Sequence, residues 1–194
     1  MNLRKPPFWD LPKPSFVSYL LVPFSIPIFL RNFLSKFLKK NKRSDIKTIC
    51  VGNIYLGGTG KTPLTIKIYE IFKKLNIKVA TVKKAHSNEI DEQLLLKKKT
   101  SLIINRSRKK SIIEGLNQNY KVLVFDDGLQ ELQIDYDIKF VCFKTKNWIG
   151  NGLLIPAGPM RENISSLKKF DAVFLNGKSE NFNKIENQIK KINS

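Results

Sequence analysis

With 194 residues and a mass of 22.4 kDa, the chain has room for one domain of ordinary size, and a composition 42% hydrophobic and 26% charged excludes wholesale disorder. Two cysteines in apolar runs (Cys50, Cys142) exclude a disulfide framework and a single histidine (His86) leaves a His-based zinc site or a Ser-His-Asp triad very poorly supplied, so the chain reads as reduced and intracellular. A formal charge of +19, from 35 basic against 16 acidic residues, draws anions such as nucleotide phosphates, nucleic acid or an acidic membrane surface, although the excess of Lys beside abundant Ile and Asn also fits a genome-wide codon bias.

The first 45 residues differ from the rest and are expected to form a segment of their own, with a second domain over 46–194. Residues 16–30 are nearly all apolar and carry Pro23 and Pro27. The run falls short of the ~20 residues a spanning helix needs, and it has neither the early start nor the small-residue cleavage site of a signal peptide. Behind it Phe33, Leu34, Phe37 and Leu38 fall on one helical face among Arg31, Lys36, Lys39 and Lys40. An apolar wedge beside a basic helix suits a peripheral or monotopic anchor on an anionic membrane surface; the alternative is a helical hairpin packed on the domain.

From residue 46 the pattern alternates. Strands are expected at 46–51, 77–82, 102–105, 120–125, 138–143 and 172–175. Helices are expected at 63–75, 90–99, 107–118 and 183–192, the first presenting Leu64, Ile68, Ile71, Phe72 and Leu75 on one side. Such alternation predicts an α/β fold: a P-loop NTPase-like, mostly parallel sheet with helices on both faces, preceded by the N-terminal amphipathic segment.

Between the first strand and the first of these helices stands Val51-Gly-Asn-Ile-Tyr-Leu-Gly-Gly-Thr-Gly-Lys-Thr-Pro63. Tyr55 occupies the place where a strict Walker A motif has its first glycine. Even so, residues Leu56, Gly57, Gly58, Thr59, Gly60, Lys61, Thr62 and Pro63 have the makings of a phosphate cradle. The glycines let amide N–H groups turn inward, the helix start adds partial positive charge, Lys61 reaches the β- and γ-phosphates, and the Thr62 hydroxyl ligates magnesium. The apolar run Val122-Leu-Val-Phe125 then ends in Asp126 and Asp127, acids at a strand tip where a metal ligand is needed; a plain Asp-Asp-Gly turn is the alternative.

Together these motifs resemble the tetraacyldisaccharide 4'-kinase (lipid A 4'-kinase) family. The likeness covers residues 9–177 and adds Asp91-Glu92 before Leu94-Leu-Leu96, Asp126-Asp-Gly-Leu-Gln130, Gly150-Asn-Gly, Pro156-Ala-Gly-Pro-Met-Arg-Glu162, and Asp171-Ala-Val with Asn176-Gly177. The resemblance implies transfer of the γ-phosphate of ATP, with Mg2+, to the 4'-hydroxyl of a tetraacyldisaccharide 1-phosphate lipid precursor in lipid A biosynthesis, at the cytoplasmic face of the bacterial inner membrane. It implies that Asp91 activates the acceptor hydroxyl with Lys61 as the other catalytic residue, that Thr62, Asp126 and Asp127 hold the metal, and that Glu92, Gln130, Arg161 and Glu162 line the cleft. Arg161 equally suits a structural pairing with Glu162.

Departures from the pattern also stand out. The family's Ser-Arg-Gly-Tyr reads Lys83-Lys-Ala-His86 here, Gln93 replaces a Pro, and Glu131 replaces a His. The resemblance also implies a further C-terminal portion, with a histidine that pairs with the residue at Asp91, beyond this shortened form. The alternative reading is therefore a nucleotide-binding but catalytically impaired relative or fragment. A nucleic-acid-dependent ATPase is suggested by charge alone; no aromatic-basic interleaving flanks the loop, and no nucleic-acid partner is expected.

Overall fold

The structure, a computed structural model, describes residues 5–35, 37, 45–85, 90–178 and 180–193. The expectations for Lys36, Leu38, Lys39, Lys40 and His86 fall outside these. Six strands form one sheet: β1 (Lys47–Gly52), β2 (Val79–Lys84), β3 (Leu102–Asn105), β4 (Val122–Asp126), β5 (Ile138–Lys144) and β6 (Ala172–Asn176). They lie in the order β3-β2-β4-β1-β5-β6. The pairs β1/β4, β2/β4 and β2/β3 are parallel. Helices are α1 (Phe16–Leu21), α2 (Ile26–Leu34), α3 (Lys61–Lys74), α4 (Ile90–Lys99), α5 (Arg108–Asn117) and α6 (Phe182–Ile192). The α/β architecture read from the alternating pattern is the one observed.

The chain divides into two units: Lys39–Gly52 with Gly60–Phe140, and Met1–Leu38 with Asn53–Thr59 and Val141–Ser194. The first holds a core of Ile46, Cys50, Ala80, Val82, Ile103, Ile112, Leu123, Phe125, Ile134 and Tyr136. β1 and β4 are buried along almost their whole length, which explains their unbroken apolar runs. Phe125 and Tyr136 meet edge to face at 5.0 Å. Cys50 is a free, buried thiol, as is Cys142 in the other unit.

Helix α3 differs in detail from its reading in the sequence. It begins at Lys61, directly after Gly60, whose left-handed backbone (φ 91°) ends the loop without a Cβ clash. Its buried residues are Thr62, Thr65, Ile68 and Tyr69, while Ile71 and Leu75 are exposed. The expected apolar stripe is therefore rotated: small β-branched hydroxyl residues face inward at the start of the helix, where Thr62 reaches a buried carboxylate.

The other unit ties the amino-terminal helices to the loop around residues 147–163. Trp9 Nε1 donates to the Pro156 carbonyl at 2.9 Å, and Asn151 Nδ2 donates to Ser18 Oγ and the Ala157 carbonyl, both at 3.0 Å. Ser25 Oγ donates to the Leu154 carbonyl and Asn32 Nδ2 to the Arg161 carbonyl. Ser15 caps α1 in a reciprocal pair with Ser18. Pro23 and Pro27 do not break the helical run, because each falls in the first turn of a new segment where no amide donor is required. Helical backbone consequently continues over Phe16–Leu34, 19 residues that are long and apolar enough to cross a membrane by length and composition, where the run in the sequence looked too short. Little of it is buried: Phe16 is 83% exposed, and Tyr19, Leu20, Phe24, Phe29 and Leu34 also face outward.

Candidate active site

The site in the unit of β1 to β4 is built by strand register. In the parallel ladders Asp126 lies opposite both Val51 of β1 and Lys83 of β2, so the carboxyl ends of three adjacent strands finish level. Crevices at such strand ends are where open α/β sheets take ligands. Helix α3 brings Lys61 and Thr62 to the same place.

Thr62 Oγ1 donates to Asp126 Oδ2 at 3.0 Å, and Lys61 Nζ lies 3.9 Å from Asp127 Oδ2. The structure thus brings together four of the residues singled out in the sequence. It adds one that was missed. Lys83, with its side chain 2% exposed, donates from Nζ to Asp126 Oδ2 at 2.8 Å and also to Glu92 Oε2. Its signal in the sequence was a charged residue closing the apolar strand Val79-Ala-Thr-Val82, where a solvated strand end was the ordinary expectation.

Asp126 is buried, and burial pushes its carboxyl above the ordinary aspartate range; the Lys83 ammonium, followed by the Thr62 hydroxyl, pulls it part of the way back. Its second oxygen, Oδ1, is buried with no hydrogen-bond partner among the described residues. Asp127 has a left-handed backbone (φ 62°), held by its amide donating to the Val51 carbonyl at 2.8 Å and by Arg108 donating to its own carbonyl. A non-glycine residue in that region is strained, and such strain persists where neighbours enforce it. The next residue must stay glycine, because a Cβ on Gly128 would meet the Tyr136 hydroxyl at 2.6 Å. Gln130 is half-buried in the following turn.

These donors fit a magnesium-type cation. That ion keeps several waters and takes only one or two protein carboxylates beside phosphate oxygens, and the partnerless buried Oδ1 of Asp126 beside the Thr62 hydroxyl is an acceptor set of that kind. Asp91 and Glu92 stand exposed in the first turn of α4.

The glycine loop, Asn53–Thr59, belongs to the other unit and is braced within it. Asn53 is fully buried; its Nδ2 donates to the Gly57 carbonyl at 3.0 Å, and Arg161 Nη1 donates to its Oδ1 at 3.3 Å. The Leu56 amide donates to the Pro159 carbonyl and the Arg161 amide to the Ile54 carbonyl. Gly57 has φ 143° and Gly58 is exposed, whereas the Thr59 hydroxyl is buried without a partner. Tyr55, which replaces the strict motif's glycine, bonds through its hydroxyl to Asp10 and Lys5. Glu162 lies 3.5 Å from Lys169. Arg161 is thus a loop brace through Asn53, a role its place in the sequence beside Glu162 did not reveal.

Residues 17–194 match the family model described as Tetraacyldisaccharide-1-P 4'-kinase. The chain belongs to the tetraacyldisaccharide 4'-kinase family. A relative of that name from Pelagibacter ubique (strain HTCC1062) is 53% identical, over 100% of this chain and 61% of the relative. Another, from Haemophilus influenzae (strain 86-028NP), is 32% identical over 88% of this chain and 58% of its own length. A crystal structure of LpxK from Aquifex aeolicus, described as the "apo" form in complex with ATP, superposes with a TM-score of 0.69 at 25% identity, covering 82% of this chain and 59% of that one. The chain therefore spans about six-tenths of the length of the 4'-kinase relatives it matches. Within this kinase family the sheet-tip acids and the Lys-Thr helix start of the present chain form one connected cluster, with Lys83 as its buried cation.

Proposed function

We propose that the chain binds ATP at the start of α3 and passes its γ-phosphate to the 4'-hydroxyl of a tetraacyldisaccharide 1-phosphate, a step of lipid A assembly on the cytoplasmic face of a bacterial inner membrane. The observation that carries this reading is the meeting of Lys61 and Thr62 with Asp126 and Asp127 at the strand tips. Family membership and the ATP complex of the Aquifex aeolicus protein support it.

The residues divide the work as follows. The first amides of α3 and the helix dipole attract the phosphates, and Lys61 leaves its loose 3.9 Å contact with Asp127 to meet the β- and γ-oxygens. Thr62, Asp126 and Asp127 would hold Mg2+, which when bound spreads the charge on the transferred group. Asp91, on the exposed first turn of α4, accepts the hydroxyl proton and aligns the acceptor. Asn53 and Arg161 keep the glycine loop in shape. The outward apolar side chains of α1 and α2 insert at an anionic membrane surface and bring the chain to its lipid substrate.

A second reading is nucleotide binding without transfer by this chain alone, which spans about six-tenths of the length of its relatives. One experiment separates the two. Folded protein is titrated with ATP and Mg2+, then assayed for phosphate transfer to the disaccharide lipid, with Lys61→Ala as control. Saturable uptake with transfer above the control is the expected result. Uptake without transfer selects the second reading, and absence of saturable uptake by folded protein overturns both.

A further inference from the structure

Helix α4 carries the acids assigned above to the acceptor, yet it is poorly anchored by apolar contact. Leu96 is its one buried residue among those described, whereas Ile90, Leu94 and Leu95 are exposed. Glu92 precedes Leu96 by four residues and so shares its face of the helix. The contacts described on that face include an apolar one at Leu96 and a polar one at Glu92, where the carboxylate meets Lys83. Asp91 is one residue away, about 100° around the axis, so whatever fixes Glu92 also fixes the direction of Asp91.

Lys83 is suited to that task. Its place opposite Asp126 in the β2/β4 ladder brings its ammonium to a carboxylate whose side chain is 0% exposed. A buried ammonium keeps its charge only with such partners. An ammonium carries three donors, so one group can serve Asp126 and Glu92 together. An exposed ion pair contributes little to holding a helix, but here one partner is immobilised in the interior, which removes most of the ordering cost.

We propose that Lys83 is a positioning residue for Asp91: it joins Glu92 of α4 to Asp126 of β4 and thereby sets the rotation and reach of the first turn of α4 against the strand tips. The proposal rests on the reading of Asp91 as the group that aligns the acceptor. It links the acceptor side of the site to its nucleotide side through one side chain.

The test uses the full chain and two variants, Lys83→Met and Glu92→Leu, the latter with no acceptor for the ammonium. The second cuts the tie while leaving Asp126 with its ammonium, so it remains informative if Lys83→Met fails to fold. Amide hydrogen exchange over residues 90–96 should quicken by about tenfold or more in each variant, with β1 and β4 unchanged in the Glu92 variant and no further gain over 90–96 when that change is added to Lys83→Met. In the transfer assay Glu92→Leu should lower kcat by up to roughly 100-fold while KM for Mg·ATP stays within about threefold, since a small misplacement of an aligned group costs that much. Unchanged exchange over 90–96 in Glu92→Leu overturns the clamp, as does quickened exchange with full kcat. If the wild-type chain makes no product, the kinase reading falls, while the exchange measurement still decides whether Lys83 holds α4.

Discussion

The strand tips and the amino-terminal helices break the ordinary distribution of polarity in opposite directions. At the tips a lysine and an aspartate are buried together; in α1 and α2 a row of large apolar side chains is left in the open. Each arrangement costs free energy in water, the first through desolvation of charge and the second through unrelieved apolar surface. The charged group is locked by register, hydrogen bonds and a strained turn, so its logic is internal. The apolar helices are held through Ser18, Ser25 and Asn32 rather than through their apolar faces, which leaves those faces for something outside the chain. On the function proposed above, the first region holds a charged ligand and the second meets an apolar phase.

Substitutions can break this contrast one side at a time. The largest effect is expected from Lys61→Ala, which should lower transfer by about a thousandfold or more, because charge stabilisation supplies most of phosphoryl-transfer catalysis; single-turnover assays would check it. Next comes Lys83→Met, which leaves Asp126 without its buried cation and should cost about 3–5 kcal/mol in urea unfolding, with Asp126→Asn in the same chain restoring part of the loss. On the apolar side, changing Phe16, Leu20 and Phe24 together to Ser should weaken binding to anionic vesicles by about a hundredfold or more, at ~1.5–3 kcal/mol of insertion per residue. The same changes should leave unfolding within about 0.5 kcal/mol per site, since these side chains touch little.

The smallest effect concerns acid stability. Burial raises the Asp10 carboxyl, but its bonds to Lys5, Tyr55 and Asn147 outweigh this and hold it below its ordinary value. A depressed folded value stabilises the native state above the unfolded value, and the contribution fades as pH falls through the folded one. Asp10→Asn should therefore lower Tm slightly at neutral pH, where the contribution is present, and make the fall in Tm below about pH 4, measured by circular dichroism, correspondingly shallower. An unaltered acid limb would show that the Asp10 contacts do not contribute.

Much of this was legible in the chain. The apolar runs marked all six strands, most plainly β1 and β4, where the buried positions are mostly apolar. Gly57-Gly-Thr-Gly-Lys-Thr62 marked a loop followed by a helix start, and Asp126-Asp127 a strand tip, because both depend on local backbone needs. What escaped was set by neighbours distant in sequence. Lys83 becomes buried only because β2 pairs with β4 at that register, and Arg161 becomes a brace only through Asn53. Helix α3 turned a different face inward because Thr62 is drawn to Asp126, a preference that hydrophobic periodicity does not record. The length of the helical run over Phe16–Leu34 was hidden by its prolines, whose positions at successive first turns are harmless.

Tyr55 has a practical consequence for anyone preparing this protein. Its hydroxyl moors the phosphate-loop candidate to Lys5 and Asp10, upstream of the greasy helices, while Trp9 fastens to Pro156. Trimming the amino terminus to improve solubility would cut those moorings along with the sticky surface, so a truncated chain that failed the transfer assay would say nothing about membranes. Surface-only replacements, which spare the moorings, are the cleaner instrument.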